Sequence, residues 1–447
     1  MICSKYCWKA LWFVYAALSF LLIACSGSGE FYKNVESEIS KNNYRAAIDE
    51  VKKNRSWYGD KSSVLYNLDM GILYHYAGEY DSSISNFFAA ENQIEDLYTK
   101  SISLQVLSFA VNDNILPYEG EDFEKVLVNI FLALNYANKG MMDDALVEAR
   151  KVDLKLREYS RKYEEKNTYQ EDAFIRYITG VLYESAGEIN DAFISYRKAY
   201  ETYGIYSKEY GTKAPDFLLD DLVRTATQLS FTEEANQYQS LGGKVYDKSA
   251  KTDGRILVIV YAGKGPIKKE ERPTVSIPDT SGTLHTFQVA LPKFLPRYNR
   301  FQTYKVLAVS NDDSLYTTTV TAENITAIAE KSLNDRLVLT YLKSGGRALL
   351  KFLAAEKMKS EIKKSGKDKA KNFLGSLAVD LVIGATEQAD LRTWRTLPSE
   401  IQLAQYFLPS GTYKVKVSDS NGLQTIKEET VNVKSGRTSF LIINDIR

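Results

Sequence analysis

The sequence has very few of the residue types that bind metals or act as nucleophiles. Its 447 residues include two histidines, His75 and His285, and three cysteines that all lie within the first 25 residues. This leaves almost no ligands for a His/Cys metal site in the body of the chain, and we expect neither a metal nor another cofactor. Basic and acidic side chains balance at 57 each. A dedicated nucleic-acid-binding protein normally has a strong basic excess, so we expect no nucleic-acid partner.

Short catalytic motifs are missing as well. Neither Gly-x-Ser-x-Gly nor His-Glu-x-x-His occurs in the sequence, and these motifs are typical of serine hydrolases and zinc proteases. We therefore expect no enzymatic activity and assign no catalytic residue. A pair of carboxylates acting as in a glycosidase stays open, because such residues pair in space and not along the chain.

The first feature that is present is an apolar N-terminal segment. Lys5 and Lys9 precede an uninterrupted apolar run over residues 10–24. As a helix this run would span about 22 Å, which is short of the roughly 30 Å hydrocarbon core of a bilayer and typical of a secretory signal peptide. The run ends in Leu-Ile-Ala-Cys25 and is followed by Ser-Gly-Ser-Gly. This ending resembles the lipobox of bacterial lipoproteins.

The lipobox resemblance implies that residues 1–24 are removed and that Cys25 is acylated with palmitate-type chains, with residues 25–30 as a tether. The lipid bilayer would then be a partner through acylated Cys25, because each buried CH₂ contributes about 0.8 kcal/mol to membrane binding. Ser26 follows the cysteine, and this residue is usual in lipoproteins bound for the outer membrane. We expect a bacterial cell-envelope protein anchored in the outer membrane and facing the periplasm, with the inner membrane left open.

The N-terminal half, residues 31–240, has helical spacing of its apolar residues and an internal repeat. Each copy starts at a small residue, with Tyr three positions later and Gly seven positions later; the copies start at Gly71, Gly180 and, less completely, Ala133. This is the tetratricopeptide (TPR) pattern, in which the small residue lets two helices cross closely and the Gly ends the first helix in a left-handed conformation. The pattern predicts an all-α TPR-like solenoid.

Such a solenoid has a concave face that is suited to binding a protein partner. Tyr buries apolar area while keeping a polar tip, and this chain contains 31 tyrosines, so part of them suits a binding face. Tyr203, Tyr206 and Tyr210 are our candidates for partner binding. The alternative is that they pack inside the solenoid.

The C-terminal half is predicted to be a different domain. Residues 241–254 lose the helical period and accumulate Gly, Lys and Asp, so we place a linker there. Residues 255–261 form a β-branched run, and Asn421-Gly422 is a typical hairpin turn between alternating segments. We predict an α+β protein of two domains, with residues 255–447 forming a β-sandwich-like domain that carries a helical insertion at about 322–390.

Two clusters in this half are candidate interaction sites. Arg392, Trp394 and Arg395 are residue types enriched in binding hot spots, although they would equally suit an internal network of arginines and carboxylates. A basic run would suit anionic lipid headgroups or an acidic glycan, although a solvated helix end is the simpler interpretation. The run consists of Lys357, Lys359, Lys363, Lys364, Lys367, Lys369 and Lys371.

Four segments of the chain resemble a family of bacterial envelope lipoproteins with a TPR-like N-terminal half and a β-containing C-terminal half. They are residues 118–123, 145–150, 172–177 and 390–401. The family is often encoded near lipoproteins of the penicillin-binding-protein-activator type, and the resemblance implies no particular activity.

From the lipobox and the repeats we predict a lipid-anchored envelope scaffold that binds an envelope protein through its solenoid. One alternative is a protein that binds or processes cell-wall glycan such as peptidoglycan, or that regulates a peptidoglycan synthase. Another is a lipoprotein of polysaccharide export or secretion.

Overall fold

The computed structural model describes residues 27–336, 346 and 388–447, apart from gaps at 111–113, 115, 164–168, 170, 247–252, 279–281, 283, 298 and 311–313. The predicted signal peptide, the lipidation site Cys25 and the basic run from Lys357 to Lys371 lie outside the described residues. Most of the predicted helical insertion lies outside them as well. None of the helices in the described part of the chain combines the length and apolar character needed to cross a bilayer.

The N-terminal half is helical, as the repeat predicts. Its helices are α1 Gly27–Ser40, α2 Tyr44–Lys53, α3 Arg55–Tyr58, α4 Ser63–Tyr76, α5 Tyr80–Ala110, α6 Asp122–Asn138, α7 Met142–Tyr163, α8 Ala173–Ala186, α9 Ile189–Glu209, α10 Phe217–Gln228 and α11 Thr232–Ser240. Consecutive helices pack as pairs, most extensively α4 with α5, α6 with α7 and α8 with α9. The helical-repeat architecture of this half is therefore confirmed.

Glycine ends the first helix of each repeat in the way that the sequence predicts. Gly78, Gly140 and Gly187 have φ angles of 73°, 76° and 87°. This left-handed conformation strains any residue with a Cβ atom and allows the chain to turn directly into the second helix of the pair.

The glycine at the start of a repeat leaves space for an aromatic ring of the paired helix. A Cβ atom on Gly71 would lie 2.6 Å from the Phe87 ring, and one on Gly180 would lie 2.5 Å from the Tyr196 ring. These distances are well inside van der Waals contact, so glycine is what allows each ring to lie against the neighbouring helix.

The C-terminal half contains the strands and one further described helix. These elements are β1 Gly254–Lys264, β2 Ile267–Glu271, β3 Thr274–Pro278, β4 Leu284–Gln288, β5 Leu291–Leu295, β6 Tyr304–Val309, β7 Ser314–Thr318, β8 Val320–Glu323, α12 Ile325–Asp335, β9 Pro398–Leu408, β10 Gly411–Asp419, β11 Thr425–Val433 and β12 Thr438–Asp445. The predicted mixed α+β class is confirmed.

Two four-stranded sheets dominate this half. The inner sheet has the strand order β12–β1–β9–β8, and the outer sheet has the order β11–β10–β6–β7. Strand β1 runs parallel to β12, at the C-terminal end of the chain, and antiparallel to β9. Two smaller ribbons pair β2 with β5 and β3 with β4.

Strand β1 explains how the sheets and the helices share their core. Alternate side chains of a strand point to opposite faces. Leu257, Ile259 and Tyr261 belong to the hydrophobic cluster that contains the helices. Ile256 and Val258 belong to a second cluster, which includes residues from both four-stranded sheets. Because both faces of β1 are buried, its sequence is a continuous apolar run rather than an alternating one.

Both edges of the inner sheet lie against helices. At the β8 edge, the hydroxyl of Tyr203 in α9 donates a 3.0 Å hydrogen bond to the carbonyl of Ala322. At the β12 edge, the amide of Thr438 donates a 3.1 Å hydrogen bond to the hydroxyl of Ser185 in α8. The helical array therefore surrounds the inner sheet, and its inner face is occupied by the C-terminal half of the same chain.

Candidate functional site

The tyrosines that we proposed as a partner-binding surface are buried, which corrects the expectation that they are exposed. Tyr203 and Tyr206 are each 1% exposed and Tyr210 is 7% exposed. Their rings follow one another along α9 at centroid distances of 6.0 Å and 4.7 Å. They pack in the shared core and face the end of β8. They are buried because the inner sheet of the same chain occupies the concave face of the solenoid, where a partner was expected.

Trp394 is also buried, which corrects the same expectation for this residue. It is 1% exposed, with the rings of Phe87 and Phe131 at 5.9 Å and 5.8 Å. Its amide donates a 2.9 Å hydrogen bond to the carboxylate of Glu124 in α6. Trp394 therefore fixes the segment before β9 against the helices.

The two neighbouring arginines belong to an internal network, the second interpretation that the sequence allowed. Arg392 pairs with Asp390 at 2.6 Å and has a side chain only 15% exposed. Arg395 stacks 4.5 Å from the centroid of the Tyr32 ring and contacts Glu36 at 3.3 Å. The contacts of Arg395 hold the segment to α1, and the contacts of both arginines leave little of either guanidinium for a second protein.

His75 has a packing role in the seam between helices and inner sheet. It is 2% exposed, and its ring nitrogens lie 2.6 Å from the Asn135 side-chain oxygen and 2.9 Å from the Tyr261 hydroxyl. Burial lowers the pKa of His75 to about 4. The ring is therefore neutral at neutral pH, and it joins α4, α6 and β1 by hydrogen bonds.

The candidate functional site is a cleft of about 990 Å³ where α8 and α10 meet the sheets. Its lining includes Phe407 of β9, the buried Arg224 and Arg255, and Thr317, Thr318 and Val320 around the end of β7. Clefts of this size that combine an aromatic group with a few placed polar groups are the usual form of binding sites in proteins.

The charged groups at the base of the cleft neutralise one another. The guanidinium of Arg224 lies 2.7 Å from Glu184 and 2.6 Å from Asp221. Arg255 contacts the same two carboxylates at 2.5 Å and 3.2 Å and receives no other acid contact among the described residues. Burial alone raises the pKa of Glu184, but the two arginines outweigh this effect and hold the pKa at about 2. The ion cluster at the base of the cleft therefore has no excess charge that would attract an anionic or a cationic ligand.

Phe407 covers this ion cluster on the solvent side. The guanidinium carbons of Arg224 and Arg255 lie 4.2 Å and 4.8 Å from the centroid of its ring, which is within the range of cation–π attraction. Phe407 nevertheless stays 37% exposed. An aromatic ring held rigidly by two buried charges and open to solvent is well suited to contact a ligand.

The outer sheet has two free edges within the described part of the chain, and they differ. The β11 edge includes Lys427 and Glu428, and such charges protect an edge from pairing with other chains. The β7 edge is uncharged, and it exposes Leu315 by 43% and Tyr316 by 78%. Because β7 ends at the cleft, this unprotected edge and the cleft form one continuous candidate surface, which we call the β7 surface.

The sequence did not single out the residues of the β7 surface. Arg224, Arg255 and Phe407 come from three distant segments that only the fold brings together, and no motif marks them. The sequence of β7, Ser-Leu-Tyr-Thr-Thr, is too short and too mixed to separate from an ordinary strand. Among the described residues, no group of three or more His, Cys, Asp and Glu side chains is arranged to hold a metal ion.

Comparisons with known proteins give structural likenesses only. No family model matches the sequence, and no curated protein matches it significantly. The apo form of RapI has 16% identity and a TM-score of 0.36, over 51% of this chain and 57% of that one. MamA AMB-1 has 16% identity and a TM-score of 0.29, over 48% of this chain and 93% of that one.

A third likeness is to a protein solved with a peptide. The Rap conjugation gene regulator of the plasmid pLS20, in complex with the Phr* peptide, has 15% identity and a TM-score of 0.29, over 47% of this chain and 50% of that one. This chain thus spans only about half the length of the two Rap structures. All three TM-scores are below 0.5, so these likenesses support no conclusion about what the helices of this chain bind.

Proposed function

We propose that this protein is a lipid-anchored scaffold of the bacterial envelope that binds a protein partner at the β7 surface. The observation that carries this proposal is the pair of unlike edges of the outer sheet, one charged and one uncharged with Leu315 and Tyr316 exposed. The lipobox resemblance at Cys25 supports the anchor, and the helical repeats support a role in protein interaction. The inner face of the solenoid, which the repeat pattern alone suggests as the partner site, is filled by the inner sheet.

An extended segment of the partner is the occupant that fits the β7 surface. The free edge of β7 offers main-chain donors and acceptors to a further strand, a recognition mode that takes its affinity from backbone hydrogen bonds. Leu315 and Tyr316 would then cover apolar side chains of that strand. Phe407 would receive a side chain from the part of the segment that continues into the cleft.

Our proposal includes the predicted β-sandwich-like arrangement, in which the outer sheet packs face to face on the inner sheet. Val306 and Val417 of the outer sheet share a hydrophobic cluster with Val258 and Leu441 of the inner sheet. This packing supports two sheets face to face. It would hold β7 rigidly, which lowers the entropic cost of adding a strand to it.

Photo-crosslinking in cells tests the partner site directly. A benzophenone amino acid replaces Tyr316 in the full-length chain, and the crosslinked material is purified and identified by mass spectrometry. We expect one reproducible protein adduct that is lost when Leu315→Lys is added. The matched control places the same amino acid at Leu423, an 87% exposed residue in the turn between β10 and β11, where no such adduct should form.

Three outcomes would contradict the proposal. Equal protein adducts from positions 316 and 423 would indicate nonspecific contact. No adduct at position 316 would remove the site. Wall fragments recovered without protein would instead favour the glycan-binding alternative. Separately, metabolic labelling with palmitate should label the wild type and not Cys25→Ser, and equal labelling would remove the anchor while leaving the partner site intact.

A further inference from the structure

A buried pair of carboxyl groups lies at the opposite end of the seam from the arginines. Asp172 is the N-cap of α8 and Glu323 is the last residue of β8. They are 0% and 1% exposed, and they lie close enough for each to raise or lower the pKa of the other. Two ionised carboxylates cannot share such a dry contact, because their repulsion adds to the cost of burying each charge. One of the two must therefore hold a proton.

The contacts of Asp172 identify it as the ionised member. Its carboxylate accepts a 2.8 Å hydrogen bond from the amide of Ile175 and a 2.9 Å hydrogen bond from the hydroxyl of Tyr169. It also lies at a helix N-terminus, where negative charge is favoured. Every one of these contacts stabilises the carboxylate form.

The contacts of Glu323 identify it as the protonated member. Its Oε2 atom is buried and receives no hydrogen bond from a donor among the described residues. An ionised oxygen without a donor would be very costly in this position. A protonated Oε2 avoids this cost, because it becomes a donor and the neighbouring carboxylate of Asp172 can accept from it.

The other titratable groups around the pair come from α7, α9 and α12 and from the segment before α8. The tyrosines are uncharged at neutral pH. Lys331 pairs with Glu209 and Asp335 at the rim. Glu171, next to Asp172, pairs with Arg176 at 2.8 Å. The groups are Tyr159, Tyr169, Glu171, Tyr203, Tyr206, Tyr210, Glu209, Lys331 and Asp335.

We propose that protonated Glu323 donates a hydrogen bond to Asp172, and that this contact is a pH-sensitive latch that holds β8 against α8 and α9. When Glu323 loses its proton, two buried negative charges face each other and this end of the seam opens. Opening here releases the β8 edge of the inner sheet, together with the carbonyl of Ala322 that Tyr203 binds. The arginine end of the seam stays closed, because its carboxylates are neutralised by cations.

The direction of the pH dependence follows from the state that burial favours. Burial, together with the charge of Asp172, raises the pKa of Glu323 well above its ordinary value. A group whose pKa is raised by folding stabilises the folded protein fully below its unfolded pKa, and this contribution is lost as pH rises through the folded pKa. The latch is therefore closed in acid and opens in alkali.

Hydrogen–deuterium exchange of the whole protein tests the latch locally. Exchange of the amides in β8 and in the first turns of α8 is measured from pH 5 to pH 9.5 and corrected for the intrinsic rate. Above the folded pKa of Glu323, we expect opening of these segments to become about tenfold more frequent per pH unit, as the loss of one proton requires. Strand β11 of the outer sheet is the internal reference and should not respond.

Glu323→Gln is the informative variant, because its amide donates to Asp172 and does not titrate. It should abolish the pH dependence of exchange in β8, whereas the control Glu209→Gln on the exposed rim should leave it unchanged. If Glu323→Gln does not fold, Asp172→Asn serves instead: Asn still caps the helix, and the pH at which β8 opens should move.

Two results would overturn the latch. If wild type and Glu323→Gln (or Asp172→Asn) respond identically to pH, the pair does not govern the seam. Alternatively, 1 mM CaCl₂ as the added metal probe would restore protection at pH 9 in the wild type, with reversal by chelator; the pair would then be a cation site and not a proton-held contact.

Discussion

Each end of the seam between the helices and the inner sheet buries two carboxyl groups, and the two ends compensate this negative charge differently. At one end, Glu184 and Asp221 are neutralised by Arg224 and Arg255. At the other end, Asp172 and Glu323 face each other, and within the described part of the chain neither forms an ion pair with a lysine or arginine. A pair neutralised by guanidinium groups is insensitive to alkali, because arginine does not lose its proton. A pair neutralised by one shared proton is sensitive to it.

The largest expected effect breaks the arginine end. Arg255→Met removes a charge that is 2% exposed and leaves two carboxylates with half of their compensation. Removing one partner of a buried ion pair typically costs about 3–5 kcal/mol of unfolding free energy. Urea denaturation at pH 7 measures this loss. Arg45→Met is the matched control, since Arg45 also pairs with a glutamate but is 82% exposed, and it should show no measurable change.

A smaller effect sharpens the comparison at acid pH. The pKa of Glu184 is lowered to about 2 by folding, so its contribution is present above the unfolded value and is lost as pH falls toward 2. Arg224→Met removes part of the cause and should raise the pH midpoint of acid unfolding, measured by circular dichroism. Glu323→Gln should leave this midpoint in place. A shift of equal size in both variants would show that the two ends are not independent.

The smallest effect concerns single hydroxyl groups on α9. Tyr203→Phe removes the hydrogen bond to Ala322 and should cost about 1 kcal/mol of unfolding free energy. Tyr210→Phe is its matched partner, because the Tyr210 hydroxyl is buried without a hydrogen-bond partner among the described residues, and it should cost nothing. Thermal denaturation of the two variants side by side decides this, and equal losses would contradict the assigned role of Tyr203.

Local features of the fold were predictable from the sequence. The close approach at Gly71 and Gly180 and the left-handed turn at Gly78 depend on neighbours a few residues away, and repeat spacing reports such neighbours well. The β-branched run at residues 255–261 likewise predicted a strand, and the burial of both faces of β1 explains why its apolar residues do not alternate with polar ones.

The occupant of the solenoid was not predictable, because it depends on contacts between distant segments. Tyr203 meets Ala322 across 119 positions, and no local pattern states which face a tyrosine will find. Trp394 shows the same limit. Tryptophan is common both in binding surfaces and in cores, and only the contact with the distant Phe131 shows that Trp394 belongs to the core.

The pairing of β1 with β12 has a consequence for the order of events during synthesis. The helices leave the ribosome first, but the sheet that covers their inner face is complete only when residues 438–445 have been made. At 5–20 residues per second, the roughly 200 residues after α11 take about 10–40 s. Throughout that interval the nascent helices present an uncovered apolar face, so a chaperone has a long time window in which to hold the chain before it closes on itself.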